Sequence, residues 1–290
     1  MNARDYWSGL TREHQHALAT SSGPDALDRN LNLLLAAVCG LTTGILFAAG
    51  GYHVGFDAVY RVGTHLPGAL ITVLVKPGET LAAICLIAFF ARRRPAVMWM
   101  GVLATIYAAL LTHTLKTLLH AVRPTAVLGD WVTVTGPVLR AYSFPSGHTV
   151  TAFLLAACLS VAARGRIRFA WFALAAIVGT SRVWIGAHWP VDVIAGAGIG
   201  GLSVALAVQT MRITHRGMGP IGHACCVLLI AACAVAESAL GAAGTLSGLL
   251  HVGIATTALA LLARDYVVGP LLAGRARIHG LTPASAKEAA

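Results

Sequence analysis

Apolar runs long enough to cross a bilayer recur through this chain, and they constrain its fold more than any other feature. Eight are read, over residues 31–50, 67–90, 96–120, 146–163, 169–185, 190–211, 220–240 and 246–263. Most come close to the ~20 residues that a helix needs to span the hydrocarbon. Only 11% of the residues are charged and 57% are hydrophobic, whereas a soluble domain carries about 25% charged residues. Such a chain cannot cover itself with a water-facing surface. The two-residue alternation of barrel strands is missing, so the backbone must satisfy itself within helices. The expected fold class is all-α: a polytopic transmembrane helical bundle, with a six-helix core and two additional C-terminal spans.

The segments between the runs carry the orientation. Residues 1–29 are polar, with Arg4, Arg12 and Arg29. No basic stretch is followed at once by a short apolar core and a cleavage site, so a mobile N-terminal cytoplasmic tail is expected and not a cleaved signal. The net charge of +10 would suggest nucleic acid in a soluble protein. Here the cations cluster between apolar runs, which is the pattern that orients membrane proteins. Fifteen of the 21 Lys and Arg lie in residues 1–29, 92–94, 164–168, 212–216 and from Arg264 to the C-terminus. With eight spans these segments all fall on one side, the cytoplasmic one. The other six are Arg61, Lys76, Lys116, Arg123, Arg140 and Arg182, on or near the opposite face. The implied organisation is a tail over 1–29, a core over 30–211, two helices over 212–264 and a cytoplasmic tail over 265–290, with no repeat and no second domain.

Local chemistry breaks the pattern at a few places. Residues 52–66 mix apolar and polar positions and suit a helix lying at the interface. Lys76-Pro77-Gly78-Glu79 interrupts the second run, where proline removes a helical donor. The six cysteines all fall within apolar runs without metal-type spacing and read as small buried hydrophobes.

Three polar clusters remain, all at the ends of runs on the side away from the basic segments. Lys116 and Arg123-Pro124 close the third run; seven residues are nearly two helical turns, about 10 Å if the helix continues, and Pro124 marks the exit from regular helix. Pro145-Ser146-Gly147-His148 opens the fourth run, with Ser146 suited to cap a helix and Gly147 to let a ligand approach its backbone. Ser181-Arg182, His188 and Asp192 join the fifth run to the sixth. His188 and Asp192 are four apart, so the carboxylate can reach the imidazole, and Pro190 suits a first helical turn. Three cations and two helix N-termini make an anion site, and arginine suits the fork geometry of phosphate. Two histidines there suggest phosphoryl transfer with a covalent step, one attacking phosphorus and the other protonating the leaving oxygen. No further carboxylates are at hand for a two-metal mechanism.

Taken together and in order, these three clusters resemble the three-part signature of the type 2 phosphatidic acid phosphatase superfamily. The match is complete at the defining positions and covers roughly residues 50–211. The resemblance implies metal-independent hydrolysis of a lipid phosphate or diphosphate, with no cofactor. It makes His188 the nucleophile, Asp192 its orienting partner and His148 the general acid. Lys116, Arg123, Ser146, Gly147 and Arg182 would then hold phosphate. Soluble vanadium haloperoxidases share the superfamily, but the spans argue against that branch. The expected partners are a lipid phosphate substrate and the bilayer, without nucleic acid. The expected place is a bacterial inner (plasma) membrane, with the site facing the periplasm or exterior. Oligomeric state is not legible.

Other residues near these clusters take simpler readings. His113, His120, Asp130 and Arg140 read as structural, with Arg140 best placed to meet a head group. Lys76 and Glu79 read as a structural pair, and Trp184 and Trp189 as interfacial anchors. Two other functions compete with hydrolysis. A lipid phosphotransferase would use the same phosphohistidine and differ only in its acceptor. A lipid transporter or inert scaffold would tolerate loss of His148 or His188.

Overall fold

The computed structural model describes residues 3–21, 23–134, 138–163, 166–214, 219–241 and 244–272. Every expected apolar run is helical, and no strand occurs among the described residues. The helices are α1 (Ala3–Thr20), α2 (Ala26–Ala48), α3 (Phe56–Thr64), α4 (Gly68–Val75), α5 (Thr80–Ile87), α6 (Pro95–Leu119), α7 (Pro124–Leu128), α8 (Gly147–Ala162), α9 (Ile167–Trp184), α10 (Pro190–Ile213), α11 (Pro220–Ala239) and α12 (Leu246–Ala263). This is a multi-pass integral membrane bundle. Five of its stretches pass as spans by length and hydropathy: α2, Pro95–Trp131, α10, α11 and Leu246–Leu272.

The other three expected spans differ from a plain membrane helix for local reasons. The second run is broken into α4, a 3-10 turn at Lys76–Gly78, α5 and a 3-10 turn at Ala88–Phe90. The break falls where Pro77 cannot donate. Helix α3 and the Gly68–Gly78 piece meet at 118°. Helix α8 has only 16 residues, and α9 carries Arg168 and Arg182 near its two ends.

Helix α10 is the axis of the bundle. In its most apolar window 72% of residues are buried, against 6% in α2, and it packs on α2, α6, α8 and α9. Its small side chains make this possible. A Cβ at Gly196 would lie 2.8 Å from the Ser146 carbonyl oxygen, so a larger residue there would push away the start of α8. The main core joins α5, α6, α8, α10, α11 and α12 through residues such as Ile87, Met98, Met100, Val204 and Ile230. A smaller cluster joins Phe56, Tyr60, Val132, Val183, Trp189 and Val191.

Both termini depart from the sequence expectation. The N-terminal segment is a helix, not a mobile tail. It is tied down by the His14 ring against His223 (centroids 4.2 Å apart), by a Tyr6 hydroxyl bond to the Tyr266 carbonyl and by a Glu13–Arg92 ion pair of 2.8 Å. Helix α2 starts at Ala26, inside the expected tail, because Asp25 and Asp28 form a capping box. At the other end, helical structure runs past residue 264 through a π turn at Arg264–Val268. Arg164, Arg216 and residues 273–290 lie outside the described residues. The described basic segments are cross-linked away from the polar clusters. Arg92 also meets the Asp265 carbonyl, Arg168 pairs with Asp28, and Arg29 bonds Gln209.

The cysteines carry no disulfide among the described residues; Cys85, Cys158 and Cys226 are buried as expected, whereas Cys225 is exposed.

Candidate active site

The loop after α6 is the first piece of the site. The helix does not continue to Arg123: it stops at Leu119, and His120 takes a left-handed conformation (φ +45°). Arg123 is therefore presented from a loop, and Pro124 begins the short α7 and does not end a helix, since a first-turn residue needs no donor. Two backbone bonds, Arg123 N to Arg140 O (3.0 Å) and Ser143 N to Ala121 O (2.9 Å), close this loop on the approach to α8. Lys116 adds a bond from Nζ to the Tyr142 carbonyl (2.5 Å). The first two clusters are thereby held as one unit.

The third cluster is held by backbone as well. His188 N and Ala187 N both donate to the Arg182 carbonyl (3.2 and 3.0 Å), which folds the turn after α9 so that His188 points inward. Helix α10 then starts at Pro190 with Asp192 in its third position, accepting from Trp189 N (2.9 Å). Ser146 N donates to the Asp192 carbonyl (3.0 Å), joining this cluster to the second.

Asp192 is the hub. It is fully buried, and its carboxylate accepts four hydrogen bonds. Oδ1 takes the Tyr52 hydroxyl (2.7 Å). Oδ2 takes the Ser143 hydroxyl (2.5 Å), the Trp189 amide (2.9 Å) and His188 Nδ1 (3.2 Å). A carboxylate can only accept, so the His188 proton resides on Nδ1 and Nε2 carries the lone pair. That nitrogen faces Arg123 Nη1 at 3.4 Å. Arg123 is itself fixed by the carbonyls of Ala141 (3.0 Å) and Ala187 (2.9 Å). Burial, opposed by Asp192 but reinforced by the charges of Arg123 and Arg182, lowers the His188 pKa to about 4. At neutral pH the imidazole is the free base. Tyr52 stays protonated, its pKa raised by burial and then by the Asp192 charge.

The remaining residues surround this centre. Lys116 and Gly147 line a cavity of about 200 Å³ between α5, α6 and α8, and a Cβ at Gly147 would meet nothing within 4 Å. His148 follows in the first turn of α8 and is half-buried. Arg182 Nε is buried and has no hydrogen-bond partner among the described residues. Ser146 occupies the cap position of α8, but its hydroxyl caps nothing: it accepts from the Thr149 hydroxyl (3.0 Å).

Of the neighbouring residues, His113, His120, Asp130 and Arg140 are exposed. Trp189 is no interfacial anchor. It is 1% exposed, stacks on His53 (3.9 Å) and donates its indole N–H to the Val122 carbonyl (2.9 Å), because the α9–α10 turn folds it into the small core. Trp184 is half-buried, its backbone against Gly63 of α3. Tyr52 and Ser143 were missed as partners of Asp192. Tyr52 lies 140 positions away and Ser143 49, so no spacing rule reaches them.

Fold and site together define a membrane-embedded helical bundle whose loops and helix starts bring cations, hydroxyls and an imidazole–carboxylate pair together around Asp192. Residues 96–216, the stretch that carries most of the site, match the model of the PAP2 superfamily. Over 68 residues the chain is 40% identical to the bacitracin transport permease protein BcrC of Bacillus licheniformis, covering 23% of this chain and 33% of that protein. Over 61 residues it is 51% identical to the lipid A 1-phosphatase of Rhizobium etli, covering 20% of this chain and 25% of that protein. The matches thus span a quarter to a third of these relatives' length. Among solved structures, the crystal structure of Aquifex aeolicus LpxE aligns at 28% identity and a TM-score of 0.48, over 53% of this chain and 93% of that one.

Proposed function

We propose that the protein hydrolyses a lipid phosphate or diphosphate through a phosphohistidine at His188, on the extracytoplasmic face of the plasma membrane. The observation that carries this reading is His188 itself, a buried free-base imidazole with Nδ1 on Asp192 and Nε2 beside a fixed guanidinium. The Nε2 lone pair attacks phosphorus, a P–N bond forms and the P–O bond to the lipid breaks. His148 gives its proton to the leaving oxygen. Water, deprotonated by His148, then attacks phosphorus, the P–N bond breaks and inorganic phosphate departs. Asp192 holds the imidazole in its tautomer and stabilises the charge it gains.

Lys116, Arg123 and Arg182, with the Ser146–Gly147 backbone, supply positive charge around the phosphoryl oxygens. The unpartnered Arg182 Nε is a donor that such an anion would satisfy. Both Asp192 oxygens are already engaged, so no carboxylate of this cluster is free for a metal. The lipid A 1-phosphatase similarity supports a lipid phosphate as the substrate class. The basic segments cross-linked away from the site support an outward-facing pocket.

The test is phosphate release from undecaprenyl diphosphate, phosphatidylglycerophosphate, phosphatidate and lipid A phosphates, with and without EDTA. Wild type is expected to release phosphate from at least one lipid, equally in EDTA, and His188→Ala from none. Release from none of them by wild type would overturn the reading, and loss of activity in EDTA would overturn its metal-free chemistry.

A further inference from the structure

A second buried polar cluster lies outside the site and joins the break in the second run to α11 and α12. Lys76, 4% exposed, donates from Nζ to both oxygens of Glu79 (2.9 and 3.0 Å), to Ser247 Oγ (3.1 Å) and to His251 Nε2 (2.8 Å). His251 Nδ1 donates onward to Glu237 Oε1 (2.9 Å), and Glu237 is fully buried. Donor atoms of Glu79, Glu237 and His251 all lie within 4.8 Å of one another, a spacing that would suit a metal cation. The Lys76 ammonium already stands among them, so a metal would have to displace it.

What this cluster grips is the 3-10 turn Lys76–Gly78. That turn is wedged into the catalytic side of the bundle. A Cβ at Gly78 would meet the His148 carbonyl oxygen at 2.9 Å, His148 Cβ at 3.0 Å and Val178 Cγ1 at 3.2 Å. The turn therefore sits between the first turn of α8, which carries His148, and α9 one turn ahead of Arg182. Charged groups at membrane depth are costly unless paired and tend to serve function, and a buried ion cluster held by such hydrogen bonds fixes geometry more than it adds stability. Within it, Glu237 Oε2 is buried without a partner among the described residues.

We infer that α11 and α12 position the general acid: the chain Glu237–His251–Lys76–Glu79 clamps the Lys76–Gly78 turn, and the turn sets where His148 stands relative to Arg182. This rests on the reading of His148 as the acid. Lys76, Glu79, Glu237 and His251 are positioning residues and touch no substrate. Loss of His251 unpairs Lys76 from Glu237 and releases the turn. A shift of about 1 Å in a reacting group can cost about 100-fold in rate.

The experiment uses the full-length protein in lipid nanodiscs, as wild type, His251→Ala, His251→Gln and Glu237→Gln. Phosphate release is followed against substrate concentration and pH, beside amide hydrogen exchange. In His251→Ala, kcat is expected to fall about 10- to 100-fold with KM within about two-fold, and the basic limb of the pH profile, set by the acid, to move. Glutamine can accept from Lys76 and donate to Glu237, so His251→Gln restores most of the rate. Exchange rises in His251→Ala over residues 76–83 and 147–152 and is unchanged over 26–48 and 190–213. Unchanged exchange over 147–152, or a rise spread over every helix, overturns the inference, as does a kcat that stays at the wild-type value. Should His251→Ala fail to fold, Glu237→Gln carries the same comparison. If wild type hydrolyses no lipid phosphate, the functional reading fails by itself, and the exchange measurement still decides whether the helix pair holds the His148 turn.

Discussion

Two buried chains of carboxylate, imidazole and cation run through this molecule, and they differ in what lies beyond the imidazole. In the first, Asp192 takes His188 Nδ1 at 3.2 Å and Arg123 faces Nε2 at 3.4 Å. In the second, Glu237 takes His251 Nδ1 at 2.9 Å and Lys76 closes on Nε2 at 2.8 Å. The order of groups is the same. The second imidazole is saturated, with both nitrogens in short bonds. The first keeps its outer lone pair in a long contact to a guanidinium that is itself held by two carbonyls. A saturated chain can only hold parts together; a chain left open at its outer nitrogen can react.

The comparison breaks most readily at the two histidines. His188→Ala is expected to reduce phosphate release by about 10³-fold or more, whereas His251→Ala costs at most about 100-fold in kcat. Equal losses would mean that the two chains do the same kind of work. Asp192→Asn keeps the shape but favours the wrong tautomer, and kcat should fall about 10²- to 10⁴-fold with little change in unfolding temperature. At the other chain, Lys76→Met should act on stability first, because it leaves buried carboxylate charge uncompensated. A loss of about 3–5 kcal/mol is expected, read by denaturant unfolding in detergent, and adding Glu237→Gln should recover part of it. Tyr52→Phe removes one of four donors to Asp192 and should lower kcat/KM about 10-fold.

The smallest expected effect is on pH. His188 must be neutral to attack, and its pKa is lowered to about 4, chiefly by burial and further by Arg123 and Arg182. Activity governed by this group is present above about pH 4 and lost below it, and kcat/KM against pH reads that limb. Arg123→Gln removes one of the cations that lower the pKa, so the limb should move upward whatever happens to the rate.

How far each chain was legible in the sequence follows from its geometry. His188 and Asp192 are one helical turn apart, so spacing found that pair, whereas Arg123 lies 65 positions from His188 and was joined to it only by the ordered motifs of the resemblance. The second is assembled from residues 76, 79, 237 and 251, on three separate pieces of helix, with 14 positions between its histidine and carboxylate. Only the Lys76–Glu79 half, three residues apart, was readable. The same reason hid Tyr52 and Ser143. The eight apolar runs were legible because periodicity and length are local. The N-terminal helix was not, because its order comes from contacts with residues 92, 223 and 266. The buried role of Trp189 was lost likewise, since an aromatic beside a membrane helix end usually marks the interface.

The shortness of α8 carries a further consequence. Sixteen residues at about 1.5 Å each reach roughly 24 Å, short of the ~30 Å hydrocarbon thickness. A helix of this length cannot by itself carry the end that bears Ser146, Gly147 and His148 from one face of the hydrocarbon to the other. Under the proposed function, a lipid phosphate would meet these charges without leaving its leaflet, where mobile ions are scarce. Turnover on a membrane-bound lipid should accordingly change little with ionic strength, unlike an enzyme that draws its anion from bulk water.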